Sequence, residues 1–247
     1  MDKSFPGTME AIADIKDGAV IAIGGFFSAG VPRHLLRALI KKGVKNLTLA
    51  CGTGPLRGAV EELTQLVNNK QLKKVIDSYA LARSMSKGLQ DPFEIAVRNR
   101  EIELEIYPMG TLAEKFRAAG AGVPAFFIPT GCGTVVAEQN ITNIEENQKG
   151  PKETRVINGR ECILEYALPV DYAFIHAYTG DKEGNLRFRK TASNFNPVMA
   201  KAAKIAIAEV ENLVETGEIK ADDVHLPGVY VKRIIQVPRI QLNVGID

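Results

Sequence analysis

Residues 17–32 read DGAVIAIGGFFSAGVP, a short apolar run closed at both ends by residues that bend the chain. Ala19, Val20, Ile21, Ala22 and Ile23 lie between the turn-forming pair Asp17-Gly18 and the pair Gly24-Gly25, the pattern of a buried strand running into a tight loop. Pro32 suits the first turn of a helix, and residues 33–42 then set Leu35, Leu36, Leu39 and Ile40 on one face before Gly43 stops it. A strand, a glycine loop and a helix start aim backbone amides and the positive end of a helix dipole at one point, which favours an anionic or phosphorylated ligand.

Outward from this stretch, residues 46–51 (NLTLAC) form a second strand too apolar to be half exposed, so the two strands and their helix read as a βαβ unit of a parallel sheet covered on both faces. The loop Gly52-Thr53-Gly54-Pro55 follows at the carboxyl end of that strand, where open α/β sheets place ligands. Upstream, Thr8 is expected to cap a helix over residues 9–15. Downstream come a helix over 59–68, a strand over 73–79 with Lys73 and Lys74 at a solvated entrance, and a short helix over 92–99. The alternating EIELEIY at 101–107 predicts a strand near a sheet edge with its charges in water. Pro108-Met109-Gly110-Thr111 opens a helix over 112–119, and residues 125–128 start another strand, a second module of strand, loop, helix and strand. Residues 140–154, the most polar segment, read as an exposed hairpin or loop and not as a linker. Strands at 161–166, 172–178, 186–188, 205–210 and 229–237, a turn at 180–185 and a helix at 195–201 complete the chain. The expectation is a single α/β domain over residues 1–247: a mostly parallel sheet flanked by helices on both faces, with additional antiparallel strands in the C-terminal half.

The chain has 247 residues, 45% of them apolar, enough for one substantial core. Its 31 basic and 29 acidic residues are too balanced to call for nucleic acid or a membrane surface as partner. No stretch approaches the roughly 20 apolar residues of a membrane helix, and the N-terminus has no signal-peptide core, so the expected setting is cytoplasmic. Cys51, Cys132 and Cys162 are isolated from one another, which argues against a disulfide framework and a zinc site. His34, His176 and His225 have no carboxylate or cysteine at metal-ligand spacing, so no metal is expected. Asp77, inside an apolar strand, is either a perturbed acid or the end of the strand near solvent. Arg83, Arg117, Arg189 and Lys190 are either solvated or reserved for carboxylates or phosphates.

Asp17-Gly18, Ile21-Ala22-Ile23, Gly24-Gly25-Phe26, Gly30 and Pro32 resemble the signature of the α subunit of family I coenzyme A (CoA) transferases, the 3-oxoacid CoA-transferase group. The likeness continues through Gly110-Thr111-Leu112-Ala113-Glu114, residues 117–124 (RAAGAGVP), Pro129-Thr130-Gly131, Asn194-Phe195-Asn196 and His225-Leu226-Pro227-Gly228. It implies the α subunit of a heteromeric enzyme that moves CoA between an acyl-CoA and a carboxylic acid. The nucleophile is a glutamate, which passes through an acyl-glutamyl anhydride and a glutamyl-CoA thioester. That glutamate belongs to a β subunit, in a Ser-Glu-Asn-Gly type motif that this sequence lacks; Glu183-Gly184-Asn185 comes nearest and reads as a turn. The resemblance thus implies no catalytic nucleophile in this chain, and CoA as a substrate with no tightly bound cofactor. Its implied partners are the β subunit, an acyl-CoA and a small carboxylic acid, without nucleic acid or membrane.

Residues implied for CoA contact are Gly24, Gly25, Phe26, Phe27, Ser28, Ala29 and Gly30. Those implied for the acyl pocket are Cys51, Gly52, Thr53, Met109 and Gly110. Where relatives for short 3-oxoacids commonly show paired asparagines, this chain has Cys51-Gly52-Thr53, and where they show Pro-Gln-Gly-Thr it has Pro108-Met109-Gly110-Thr111. Both changes remove amide side chains, so the acid is expected to differ from acetoacetate or succinate, or to be less polar. Two other readings stand beside this one: a phosphosugar isomerase or sensor domain of related fold, and a non-catalytic interaction subunit.

Overall fold

The opening run forms β1 (Val20–Ile23) in the computed structural model, which describes residues 1–52, 59–79 and 91–240. Preceded by the short helix α1 (Thr8–Ala11), β1 leads through the glycine loop into α2 (Arg33–Lys42) and then β2 (Leu47–Cys51), its parallel neighbour, with Ile21 opposite Leu49. Gly43 closes α2 at φ +75°, its N–H bonded to the Leu39 and Ile40 carbonyls, the left-handed stop that glycine adopts without a Cβ penalty. Helix α3 (Val60–Asn68) precedes β3 (Leu72–Asp77), and α4 (Pro92–Arg98), capped by the Asp91 carboxylate, precedes β4 (Glu103–Ile106). Each of these strands pairs in parallel with the one before it.

On the other side of β1 lie β9 (Val170–Asp181), β11 (Ala203–Val214) and β12 (Val231–Gln236), again parallel, with α7 (Asn196–Ala202) between β9 and β11. A short β10 (Leu186–Arg187) folds back on the end of β9 across the expected turn, where Asp181 accepts the Glu183 and Asn185 N–H groups. β6 (Ile141–Thr142) closes the far edge against β4, so the order is β12-β11-β9-β1-β2-β3-β4-β6. Successive strands leave β1 in one direction and β9 in the other, so the chain reverses between these two neighbours. One sheet face packs on α1 to α4 through Leu35, Leu39, Leu49, Val75 and Phe93. The other packs through Leu112, Phe116 and Met199 on α7 and α5 (Met109–Gly120). The expected α/β class, parallel sheet and helices on both faces are all present. Among the described residues no helix is long and apolar enough to cross a membrane.

Several expectations are corrected. Helix α1 spans only Thr8–Ala11, and its N-cap is Gly7 without a side-chain bond; Ile12, in the turn that follows, and Ile15, just beyond it, are buried. The charges of 101–107 are not all in water: Glu105 is 8% exposed and pairs with Lys74 at 2.6 Å, which therefore is not at a solvated entrance. β5 (Ala125–Ile128) does not rejoin the main sheet, because β6 already occupies the edge of β4. It pairs antiparallel with β8 (Arg160–Tyr166), which in turn pairs with β7 (Thr154–Ile157) in a separate three-stranded sheet. Asn158 and Gly159, at φ +50° and +75°, turn β7 into β8 as the two left-handed residues of a tight hairpin. The polar segment ahead of it holds β6 and a 3-10 turn (Glu145–Asn147), while the short α6 (Val135–Glu138) follows β5.

Candidate functional site

The carboxyl end of β1 sets the glycine loop beside β9, at the reversal of strand order, the position where open α/β sheets bind ligands. Gly24 N–H donates to the Phe174 carbonyl at 2.9 Å, and Phe26 and Ala29 exchange a pair of 3.0 Å backbone bonds, so residues 26–29 make a small closed turn. Phe27 sits at its tip at φ +50°, a left-handed conformation unusual for an aromatic residue, with its ring edge-on to Phe26. Gly24 and Gly25 are buried, Phe26, Ser28, Ala29 and Gly30 are half-buried, and Phe27 is 39% exposed.

The glycines are required by the chain's own side chains. A Cβ on Gly24 would lie 1.9 Å from Asn196 Oδ1, one on Gly30 2.7 Å from Asn196 Nδ2, and one on Gly52 2.4 Å from the Phe195 ring. Asn196, fully buried, accepts the His176 N–H at 3.0 Å and donates to the carbonyls of Gly30 at 3.0 Å and Ala192 at 2.9 Å. Asn194 donates to the Ala29 carbonyl at 3.0 Å. The string Asn194-Phe195-Asn196 therefore holds the glycine loop in place, a pinning and not a reacting role.

The start of α2, expected to be open to an external anion, already holds one. Pro32 supplies no side-chain cap, and the buried Glu209 of β11 accepts the Leu35 N–H at 2.9 Å. Its other oxygen meets His176 Nδ1 at 3.1 Å, and Glu211 lies 3.6 Å from Nε2. Burial opposes the charged imidazole, but the hydrogen bond and charge of Glu209, with Glu211, outweigh it and raise the His176 pKa.

At the ends of β2, β3 and β4 the other implied residues fall on both sheet faces. Cys51 is fully buried in the cluster under α2 to α4, so its side chain fills core, whereas Gly52 faces Phe195 on the opposite side. Met109 and Gly110 open α5 beyond the end of β4, two strands from β2, and are exposed. Thr53 and Arg83 lie outside the described residues. Between these strand ends stands Asp77, which is fully buried and not at a wet strand terminus. Its Oδ1 accepts the Ser78 N–H at 2.6 Å and the Tyr79 N–H at 3.3 Å, while Oδ2, like Ser78 Oγ and Thr111 Oγ1, is buried with no hydrogen-bond partner among the described residues. Burial raises its pKa to about 6, against the pull of those two amides. Among the described residues no group of histidine, cysteine and acidic side chains could hold a metal ion.

A parallel sheet with loops gathered at its carboxyl ends and a glycine loop at the reversal point defines a ligand-handling α/β protein. A family-wide sequence model described as "Coenzyme A transferase" matches residues 8–237. The chain is 41% identical, over 99% of its own length and 96% of the relative's, to one of the subunits of the succinyl-CoA:3-ketoacid coenzyme A transferase of Helicobacter pylori. With the rat mitochondrial succinyl-CoA:3-ketoacid coenzyme A transferase 2A it shares 38% identity over 98% of this chain but 46% of that one. Among solved structures, the acyl-CoA transferase YdiF of Escherichia coli O157:H7 shares the fold at a TM-score of 0.81 and 22% identity, over all of this chain and 49% of that one. The chain belongs to the coenzyme A transferase family.

Proposed function

We propose that this chain is the α subunit of a heteromeric CoA-transferase whose nucleophilic glutamate stands on a partner β subunit. The observation that carries the reading is the family's glycine-loop signature folded at the strand-order reversal, in a chain without a Ser-Glu-Asn-Gly string. The lengths of the relatives agree: two of them are single chains of which this one matches about half, leaving room for a fused second half.

In the proposed cycle the partner's carboxylate attacks the acyl-CoA carbonyl and expels CoA thiolate, giving a mixed anhydride. The thiolate attacks the glutamyl carbonyl of the anhydride, releasing the first acid and leaving glutamyl-CoA. The acceptor carboxylate attacks that thioester, and the freed thiolate takes the acyl group from the new anhydride, restoring the glutamate. This chain contributes the wall of the site. The rigid turn at residues 26–29 presents Phe27 as apolar cover, which slows hydrolysis of the anhydride. Met109 and Gly110, exposed at the start of α5, border the acyl group together with the backbone at Gly52.

The test is to co-purify the partner, incubate the complex with acyl-CoA, trap with borohydride and locate the adduct by mass spectrometry. An adduct on a glutamate of the partner is expected. A folded complex that yields none on either chain overturns the reading, and thermal stabilisation of this chain alone by phosphosugars would favour the isomerase class instead.

A further inference from the structure

At the start of α2 the Leu35 N–H is already taken by the Glu209 carboxylate, whose charge opposes a second anion there, so an anion at the strand-order reversal calls for side-chain cations. The structure supplies them. A cavity of about 250 Å³ opens beside Gly30, floored by His176 and Tyr178 of β9 and Glu211 of β11, and rimmed by Arg189, Lys190 and Arg239. All three side chains are exposed at the mouth of the recess, open to a ligand, unlike Arg33 and Lys74, which are held by Glu62 at 2.9 Å and Glu105 at 2.6 Å. Among the described residues neither Arg189 nor Lys190 has a carboxylate within ion-pair distance. The Arg189 guanidinium lies over the Tyr178 ring at 5.0 Å, and the Arg239 Nε reaches Glu211 only at 3.9 Å. Lys190 stands at φ +53°, opening the 3-10 turn Lys190–Ser193 that Asn194 and Asn196 tie to the glycine loop. Among the described residues the recess therefore gathers three cations against one lining carboxylate, with Arg189 and Lys190 on backbone that is fixed to the loop.

We propose that this recess is a subsite for a phosphate group of the CoA ligand, with Arg189, Lys190 and Arg239 as its cations; the identity of the ligand rests on the transferase reading above. An arginine fork and converging ammonium groups suit a multiply charged phosphate. The spacing agrees. From β9 to the strand ends at β3 is three strand spacings, roughly 14 Å, a span that an extended pantetheine arm covers from phosphate to thioester.

The experiment compares acyl-CoA with the corresponding acyl-pantetheine, which has no phosphate, in the complex carrying Arg189→Gln and Lys190→Gln. The ratio of kcat/KM for acyl-CoA to that for acyl-pantetheine is expected to fall about tenfold, a loss of ~1.4 kcal/mol. The variant Arg189→Lys with Lys190→Arg, which keeps both charges, is expected to recover most of the ratio. An unchanged ratio, or an equal loss on both substrates, overturns the proposal. Calorimetry with adenosine 3′,5′-bisphosphate separates the two readings, since it needs no turnover. Binding that weakens in the glutamine variant supports the recess even if the complex transfers no CoA. Equal binding to both proteins, or displacement of the bisphosphate by succinate at similar concentration, overturns it.

Discussion

Asp77 carries an unusual load for one side chain: fully buried, one oxygen without a partner among the described residues, and a proton that it keeps up to about pH 6. Burial is the dominant cause, with the Ser78 and Tyr79 amides pulling the other way. In the unfolded chain the carboxyl titrates near its ordinary value of 3.8, so between pH 4 and 6 the native state holds a proton that the unfolded state has released. Stability therefore falls as pH rises through that window, at ~1.4 kcal/mol per unit and about 2–3 kcal/mol in all. Asn keeps the shape and the acceptor for both amides without the charge. In urea unfolding of the full chain, the advantage of Asp77→Asn over the parent is expected to grow by about 2 kcal/mol between pH 4 and pH 7.5. An advantage equal at both ends would mean that the carboxylate is ionised in the fold without penalty.

At the scale of elements, the glycine loop, α7 and β9 form one interlocked unit through Asn196. Gly24→Ala drives a methyl into Asn196 Oδ1 and is expected to cost about 1–3 kcal/mol, the usual range for overpacking. Asn196→Ala leaves the Gly30 and Ala192 carbonyls and the His176 N–H without their partner and costs a similar amount. Because the first penalty needs the Asn196 side chain, the double variant should be less destabilised than the sum, by about 1 kcal/mol or more in denaturant midpoints; simple additivity would contradict the contact. The elements themselves were legible: the apolar runs, the Gly43 stop and the Pro32 start predict β1, α2 and β2 to within a residue or so. What fills the space beside Gly24 was not, since Asn196 is distant in sequence and no local pattern links the two. The pair Asn158-Gly159 is a hairpin signal that the sequence carried and that the reading of residues 140–154 as the exposed hairpin or loop passed over. The Glu209 cap on α2 was hidden for the reason that hid Asn196, as it arrives from β11.

On the scale of the whole molecule, the departure of β5 from the main sheet leaves the three-stranded sheet to be fastened by other means, and the sequence could not show which strand β5 would choose. The fastening is ionic. Lys115 of α5 and Glu165 of β8 are 5% and 3% exposed and meet at 3.0 Å, Lys152 bonds the other carboxylate oxygen, and the Lys115 ammonium lies 4.3 Å over the Tyr107 ring. Burial lowers the Lys115 pKa despite the charge of Glu165, the mark of an ammonium that depends on its partner. Removing the carboxylate alone strands a buried charge, so Glu165→Gln is expected to cost about 3–5 kcal/mol. Replacing the pair by Lys115→Met with Glu165→Leu removes both desolvation penalties and should return most of that loss, with Lys152 free to turn its ammonium outward to water. Urea midpoints of the parent, the single variant and the double variant decide the matter. A double variant as unstable as the single one would mean that the ion pair attracts the small sheet more strongly than apolar packing can, whereas recovery would mean that the pair fixes the docking geometry without adding net stability.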